Sequence, residues 1–237
     1  MGLEIIYRDD ELVAINKPHG LPVHRSDYVR NAEVFAVQEL RNQLGKYVYP
    51  CHRIDRKTSG VLLFALEKEM LGMIQQLFVS RQIRKSYLAI VRGYTDDTGI
   101  IESPLTNEKG KVQEASTEYR TLARTELDIP SGKFSTSRYS LVEAYPHTGR
   151  LHQIRKHFAH VFHPVIGDRP HGCNKQNKLF KERYGFTTMM LHASRLDFIH
   201  PGSNDEIVIR AEPHPEFRRM MSVMGWDKPT VRINPPS

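Results

Sequence analysis

Residues 51–66, CHRIDRKTSGVLLFAL, decide how the rest of the chain is read. A single acid, Asp55, stands among Arg53, Arg56 and Lys57. A Thr58-Ser59-Gly60 turn follows, and VLLFAL (61–66) then reads as a strand buried on both faces, because it lacks polar alternation. A carboxylate on a tight loop at the mouth of a buried strand is held still by the strand behind it, and such loops often carry catalysis. An aspartate carboxyl titrates near ~4 in water and is ionised at neutral pH. Two readings of Asp55 stay open on the residues alone. It is a nucleophile, base or electrostatic partner for a developing cation, or it is a turn residue salt-bridged to Arg53 or Arg56.

Working outward, LEIIYRDD and ELVAINKP read as two short strands joined by an acidic turn, and Pro18, Gly20 and Pro22 end the pattern. Residues 32–44 repeat Val34, Val37, Leu40, Arg41 and Leu44 at helical spacing, with Asn31 as the expected N-cap and Gly45 as the stop. KYVYP is a strand leading into the opening motif. EKEMLGMIQQLFVS is a helix with Leu71, Ile74, Leu77 and Phe78 on its apolar stripe. KSYLAIVRG (85–93) alternates as a strand. Residues 115–127 and 134–146 read as long antiparallel strands joined by IPSGK. LHQIRKHFAHVF (151–162) is helical. Residues 168–187 are polar without clear periodicity, so an insertion loop with one helical turn is expected there. MMLHASRLDFIHP and EIVIRAE close as a strand pair, PEFRRMMSVMGW is a helix, and KPTVRINPPS is a tail. Strands and helices mix without strict alternation, which predicts α+β with a mixed, mostly antiparallel central sheet.

The chain has 237 residues, enough to bury a large core without disulfides. Its two cysteines, Cys51 and Cys173, lie far apart, in the pattern of a reducing cytoplasm. No apolar run approaches the ~20 residues of a membrane span, and the acidic N-terminal stretch reads as folded protein rather than a leader. Lys plus Arg number 34 against 27 Asp plus Glu, a formal charge of +7 that suits a polyanionic partner. The surplus concentrates between Arg150 and Tyr184, where Arg150, Arg155, Lys156, Arg169, Lys175, Lys178, Lys181 and Arg183 meet only Asp168 and Glu182. Such a segment suits phosphate contacts.

Within TGRLHQIRKHFAHVFHPVIGD (148–168), Arg150, His152, Gln153 and Arg155 form either a ligand-facing polar cluster or a solvated basic face. His157, His160 and His163 recur every three residues, but no HExxH and no nearby cysteine accompany them, so no metal site is expected. No G-x-S-x-G elbow, P-loop or dinucleotide fingerprint occurs, so no nucleotide cofactor is expected. Tyr87 is either a core residue or a ring that stacks under an extruded base.

Taken together, these stretches resemble the RluA-type pseudouridine synthases. HRIDRKTSGVLLFAL resembles that family's H-R-L-D-x-x-T-S-G motif, DDELVAINKPHGLPVH its N-K-P-x-G turn, and KSYLAIVRG its tyrosine strand. TGRLHQIRKHFAHVFHPVIGD resembles its T-G-R-x-H-Q-I-R-x-H segment, and MMLHASRLDFIHP its late L-H-A strand, all in the family's order from residue 3 to about 212. Ile54 replaces the family's usual leucine, and Leu151 stands where a small polar or basic residue is common.

The resemblance implies one catalytic domain over 1–227, with a cleft across its sheet, no S4 module, and a 228–237 tail. It implies isomerisation of uridine to pseudouridine in RNA by a monomeric, cytoplasmic, cofactor-free enzyme. VHRS, GDRPHGCNKQNKLFKERYGFTTMMLHAS and FRRMMSVMGW are similar to the subfamily acting on tRNA position 65. The same reaction on rRNA, or a non-catalytic RNA-binding or folding module, is the alternative. By resemblance Asp55 is the essential aspartate, Arg155 its charge partner with Arg150 in reserve, and Tyr87 the stacking ring. Arg53 fills the gap left by a flipped nucleotide. His152, Gln153, Lys156, Arg84, Lys85 and Thr58 serve RNA contacts or the loop.

Overall fold

A computed structural model describes residues 2–24, 33–130 and 134–226. Along the chain run β1 (Ile5–Arg8), β2 (Leu12–Lys17), α1 (Ala36–Leu44), β3 (Tyr49–Pro50), β4 (Ser59–Ala65), α2 (Lys68–Val79) and β5 (Arg84–Arg92). Then come β6 (Thr98–Glu102), β7 (Leu105–Thr106), β8 (Val112–Gln113), β9 (Ser116–Leu127), β10 (Ser137–Pro146), α3 (Gln153–His160) and α4 (Asn174–Tyr184). β11 (Leu191–Ile199), β12 (Glu206–Arg210) and α5 (Pro215–Val223) complete the order. The chain divides into two compact units, residues 1–87 with 191–214, and residues 88–190 with 215–237. The expected α+β class and mostly antiparallel pairing hold in both.

In the first unit the strand order is β1-β2-β4-β11, with β3 also on β4 and β12 on β11. β2 and β4 pair antiparallel from Leu12↔Ala65 to Lys17↔Gly60, whereas β4 and β11 run parallel at His192↔Ser59 and Ala193↔Gly60. The alternation of β4 explains its unbroken apolar sequence. Val61, Leu63 and Ala65 join Leu12, Ala14, Met70 and Ile74 on the α2 side, and Leu62 and Phe64 join Val13, Ile15, Ala36 and Leu40 on the α1 side. Each fully buried Leu or Phe contributes roughly 1.5–3 kcal/mol.

Helix α1 begins at Ala36, later than the apolar spacing suggests, and its cap position is Phe35. Its first N–H groups reach Pro22 O (2.9 Å) and Val23 O (3.1 Å). A tertiary cap of this kind leaves no local sequence signal. The expected cap Asn31 lies outside the described residues. Gly45 ends the helix in the left-handed region, its N–H on Arg41 O, as expected.

In the second unit β9 and β10 pair from Ser137↔Leu127 to Pro146↔Thr117 and β6 adds to β9, matching the two long strands read from sequence. The turn residues 131–133 between them, and the 228–237 tail, lie outside the described residues. The polar 168–187 stretch is not a loop with one turn but contains the eleven-residue α4. Its inward positions are Gln176 and Phe180, and the glutamine hid the helical period. Tyr139 Oη donates to Gln176 Oε1 at 2.5 Å, satisfying the buried amide. Phe180 packs with Phe186, Phe217, Met220, Met224 and Trp226, so α4 and α5 share one core.

Gly60 shows why the Thr-Ser-Gly turn ends in glycine. Its φ is +108°, and a Cβ there would stand 2.1 Å from Ala193 O. Gly60→Ala therefore strains the backbone and forces β4 from β11. Urea unfolding should show a loss of about 3 kcal/mol or more. Gly110→Ala, with φ +76° but open space around it, should lose only about 1 kcal/mol.

Candidate active site

Two loops of the first unit are tied together around Asp55. Lys17, at the end of β2, is fully buried. Its Nζ donates to Pro18 O (2.9 Å), Leu21 O (2.8 Å) and Arg56 O (3.1 Å), so three carbonyls match the three ammonium hydrogens. Burial pulls its pKa down to about 7; the Asp55 carboxylate opposes that pull and the Arg56 charge adds to it. Gly20 N–H donates to Arg56 O, and Arg56 Nε returns a bond to Gly20 O, both at 2.9 Å. Thr58 N–H closes the turn on Asp55 O at 3.0 Å. Arg56 thus serves the 18–21 loop, and Thr58 is buried, supporting the loop through its backbone.

Beneath this loop Ser59 Oγ donates to His192 Nδ1 (2.9 Å), and His192 Nε2–H donates to Ala211 O (2.9 Å). The two bonds fix a neutral imidazole, and burial lowers its pKa to about 4. His52 Nε2 accepts Leu63 N–H at 3.1 Å, next to the Cys51 N–H to Leu63 O bond, and its ring lies 5.1 Å from that of Phe78. Burial first and the Lys85 charge second lower the His52 pKa to about 3. The histidine of the opening motif is therefore a neutral ladder cap.

Tyr87 belongs to the same unit. Its phenol pKa is raised by burial and then by the Asp55 carboxylate, which places the ring within that charge's field. The hydroxyl is a neutral hydrogen-bonding group on a half-buried ring. Arg53 and Arg84 are exposed. Lys85 is half-buried, its pKa lowered to about 8 by burial and by Arg81.

The second unit carries the other expected residues. Gln153 is buried at the start of α3, and its amide is fully engaged. Its Oε1 accepts from Thr148 Oγ1 (2.6 Å) and Arg150 N (3.0 Å), and its Nε2 donates to Ser116 O and Thr117 Oγ1 (both 2.9 Å). The geometry gives Gln153 the task of holding the 148–150 turn against β9. Arg150 Nε donates to Glu114 O at 3.1 Å. His152 has φ +57°, and its Nδ1 lies 2.9 Å from His171 Nε2. Lys156 is half-buried one position beyond Arg155.

Arg155 is buried and meets Asp168 in a two-bond fork, Nε to Oδ2 and Nη2 to Oδ1, both 2.8 Å. Asp168 is the residue that sequence reasoning passed over. Its signal was its standing as one of only two acids in a basic segment. Lys17 was missed as well, because nothing local marks a lysine as buried.

Among the described residues no three His, Cys, Asp or Glu side chains gather as a metal-ligand set. His157 uses its ring nitrogens on Thr117 Oγ1 and Ser103 O, and His163 bonds Arg92 O. The first unit thus offers a carboxylate on a rigid loop and a ring in its field, and the second a preoriented buried guanidinium.

The pattern of the family described as RNA pseudouridylate synthase matches residues 11–160. A tRNA pseudouridine synthase C of Vibrio cholerae is 43% identical over 237 residues, covering 95% of this chain and 97% of that protein. The tRNA pseudouridine synthase C of Pasteurella multocida is 44% identical over 238 residues, covering 96% and 98%. Human RNA Pseudouridylate Synthase Domain Containing 1 and 4 share the fold, each with a TM-score of 0.71. Their identities are 22% and 24%; they cover 100% and 99% of this chain, and the match spans 97% and 95% of theirs.

Neutral His192 makes stability depend on acid. Its folded pKa of about 4 lies below the ~6.5 of an unfolded histidine, so the unfolded chain binds more protons between those values. The stabilisation is complete above ~6.5 and is lost as pH falls towards 4, by roughly 3 kcal/mol. Urea unfolding at pH 7, 5 and 4 should show this loss, and His192→Gln should make it shallower, leaving the part that His52 contributes. An unchanged slope in the variant would count against the assignment.

Proposed function

The chain belongs to the RNA pseudouridylate synthase family, and on that premise we propose that it isomerises a uridine of tRNA, at position 65, to pseudouridine. Asp55, Tyr87 and Arg155 form the reacting set. The observation that carries the reading is the rigid Asp55 loop, bonded through Lys17, Gly20 and Arg56, with Tyr87 in the field of the carboxylate.

The reaction is an isomerisation. The bond from N1 of uracil to ribose C1′ breaks, the base turns, and C5 joins C1′. C5 then gives up its proton and N1 gains one, so no electrons are exchanged with a second reactant. Ionised Asp55 either attacks C1′ or removes the ribose 2′ proton, and both routes need a carboxylate at the start. Arg155 stabilises that charge. Tyr87 lies against the uracil, its hydroxyl near C5. A base inside a helix must first be extruded, at a few kcal/mol, and stacking on Tyr87 with Arg53 filling the vacated gap offsets that cost.

The tRNA target is supported by the similarity to relatives bearing that name across almost the whole length. It is also supported by charge. Lys175, Lys178, Lys181 and Arg183 are exposed on α4, and Arg84 is exposed at the start of β5. Phosphate contacts of this kind release counterions and weaken with salt. We further propose that residues 1–227 act as one catalytic domain and that the protein works as a monomer in the cytoplasm, in keeping with its free thiols. No helix among the described residues is long and apolar enough to cross a membrane.

The test is release of tritium from C5-labelled uridine in a tRNA transcript. The wild-type protein should release one tritium per target uridine, and Asp55→Asn should lower the rate at least about a thousandfold. Wild-type turnover by Asp55→Asn would overturn the assignment, and release from an rRNA transcript alone would overturn the target.

A further inference from the structure

We propose that Asp168, latched in place by Asn177 of α4, is a positioning residue that aims the Arg155 guanidinium. The inference rests on Arg155 belonging to the reacting set, and it assigns a task to the segment that looked like an insertion.

The Arg155–Asp168 fork and its supports lie within the second unit. Arg155 and Asp168 side chains are 5% and 1% exposed, so water does little to orient either. The fork uses Nε and Nη2, one edge of a planar group. Once that edge is held, the direction of the third nitrogen, Nη1, is set as well. A lysine could not be aimed in this way, because its ammonium is a rotating point charge.

Asp168 has little freedom of its own. Its backbone N–H reaches Val165 O at 3.3 Å, and His171 N–H reaches its Oδ1 at 3.4 Å. Asn177 bridges the turn from both sides, taking Gly167 N–H on Oδ1 at 2.8 Å and giving Nδ2–H to Asp168 O at 2.7 Å. Two glycines permit this closeness. Gly167 has φ +80° and would place a Cβ 2.0 Å from Thr188 O, and a Cβ on Gly172 would stand 2.0 Å from Asp168 O. α4 is in turn held by Phe180 in the core and by Gln176 on Tyr139. A chain of contacts thus runs from the α4 core through Asn177 and Asp168 to Arg155. Buried ion pairs contribute little net stability compared with apolar packing, so a pair locked this firmly is better explained by orientation.

The experiment uses the full-length protein and the tritium-release assay, with kcat and KM measured separately. Asp168→Asn keeps the shape but removes the charge and places an N–H against the guanidinium; its kcat should fall at least 100-fold with KM within threefold of wild type. Asn177→Ala cuts only the latch; it should keep its far-UV spectrum and tRNA affinity within twofold, while kcat falls about tenfold. Should Asp168→Asn fail to fold, Asn177→Ala decides alone. Wild-type kcat in a folded Asn177→Ala, or a loss that merely tracks the fraction unfolded, overturns the proposal. Arg155→Lys separates this from the broader reading. If it is inactive while Asn177→Ala is unaffected, only the positioning role fails; if Arg155→Lys and Asp55→Asn are both fully active, the proposed reaction itself fails.

Discussion

One buried ammonium holds the Asp55 loop together. Lys17 Nζ is surrounded by the carbonyls of Pro18, Leu21 and Arg56, one for each of its three hydrogens. Hydrogen bonds to a charged group contribute roughly 1.5–3 kcal/mol each, of the same order as the several kcal/mol needed to take an ammonium out of water. The gain is therefore geometric more than energetic. The loop that follows β2 and the loop that precedes β4 become one piece, and the reciprocal Gly20–Arg56 bonds close it. Replacing Lys17 by an apolar residue would take this donor from the Pro18 and Leu21 carbonyls and leave Arg56 O with its bond from Gly20 N–H.

The arginines around Asp55 raised the question of why one acid sits among so many cations. The structure divides their work. Arg53 and Arg56 are both exposed, but Arg56 supports the neighbouring loop through Gly20. Neutral His52 and His192 lie behind, spending their nitrogens on backbone and on Ser59 rather than adding charge. A preorganised site needs its charges fixed before substrate arrives, since reorienting dipoles during reaction costs free energy. In the second unit the Arg155–Asp168 fork fixes a buried guanidinium in the same way.

Much of this was legible in the sequence where local pattern and tertiary role agree. VLLFAL announced a strand buried on both faces because both faces of β4 carry apolar cores. The long β9 and β10 strands and the Gly45 stop followed from period and backbone freedom. Where a polar residue took an interior place, the pattern failed. Gln176 faces inward on α4 and broke the helical period, so the helix read as a loop. The start of α1 depends on carbonyls of residues 22 and 23, which no local cap reveals. The same physics hid part of the site. Lys17 and Asp168 look like surface charges in the sequence, and only three-dimensional partners make their burial tolerable.

The proposed reaction needs a carboxylate at position 55 acting on the ribose of a uridine in tRNA. The most direct measurement maps pseudouridine at single-nucleotide resolution in RNA from cells lacking this chain, complemented either with the wild-type gene or with Asp55→Asn. We expect one tRNA pseudouridine, at position 65, to vanish on deletion, to return with the wild-type gene and to stay absent with the variant. Return of that modification with Asp55→Asn, or a full tRNA complement in the deletion strain, would contradict it.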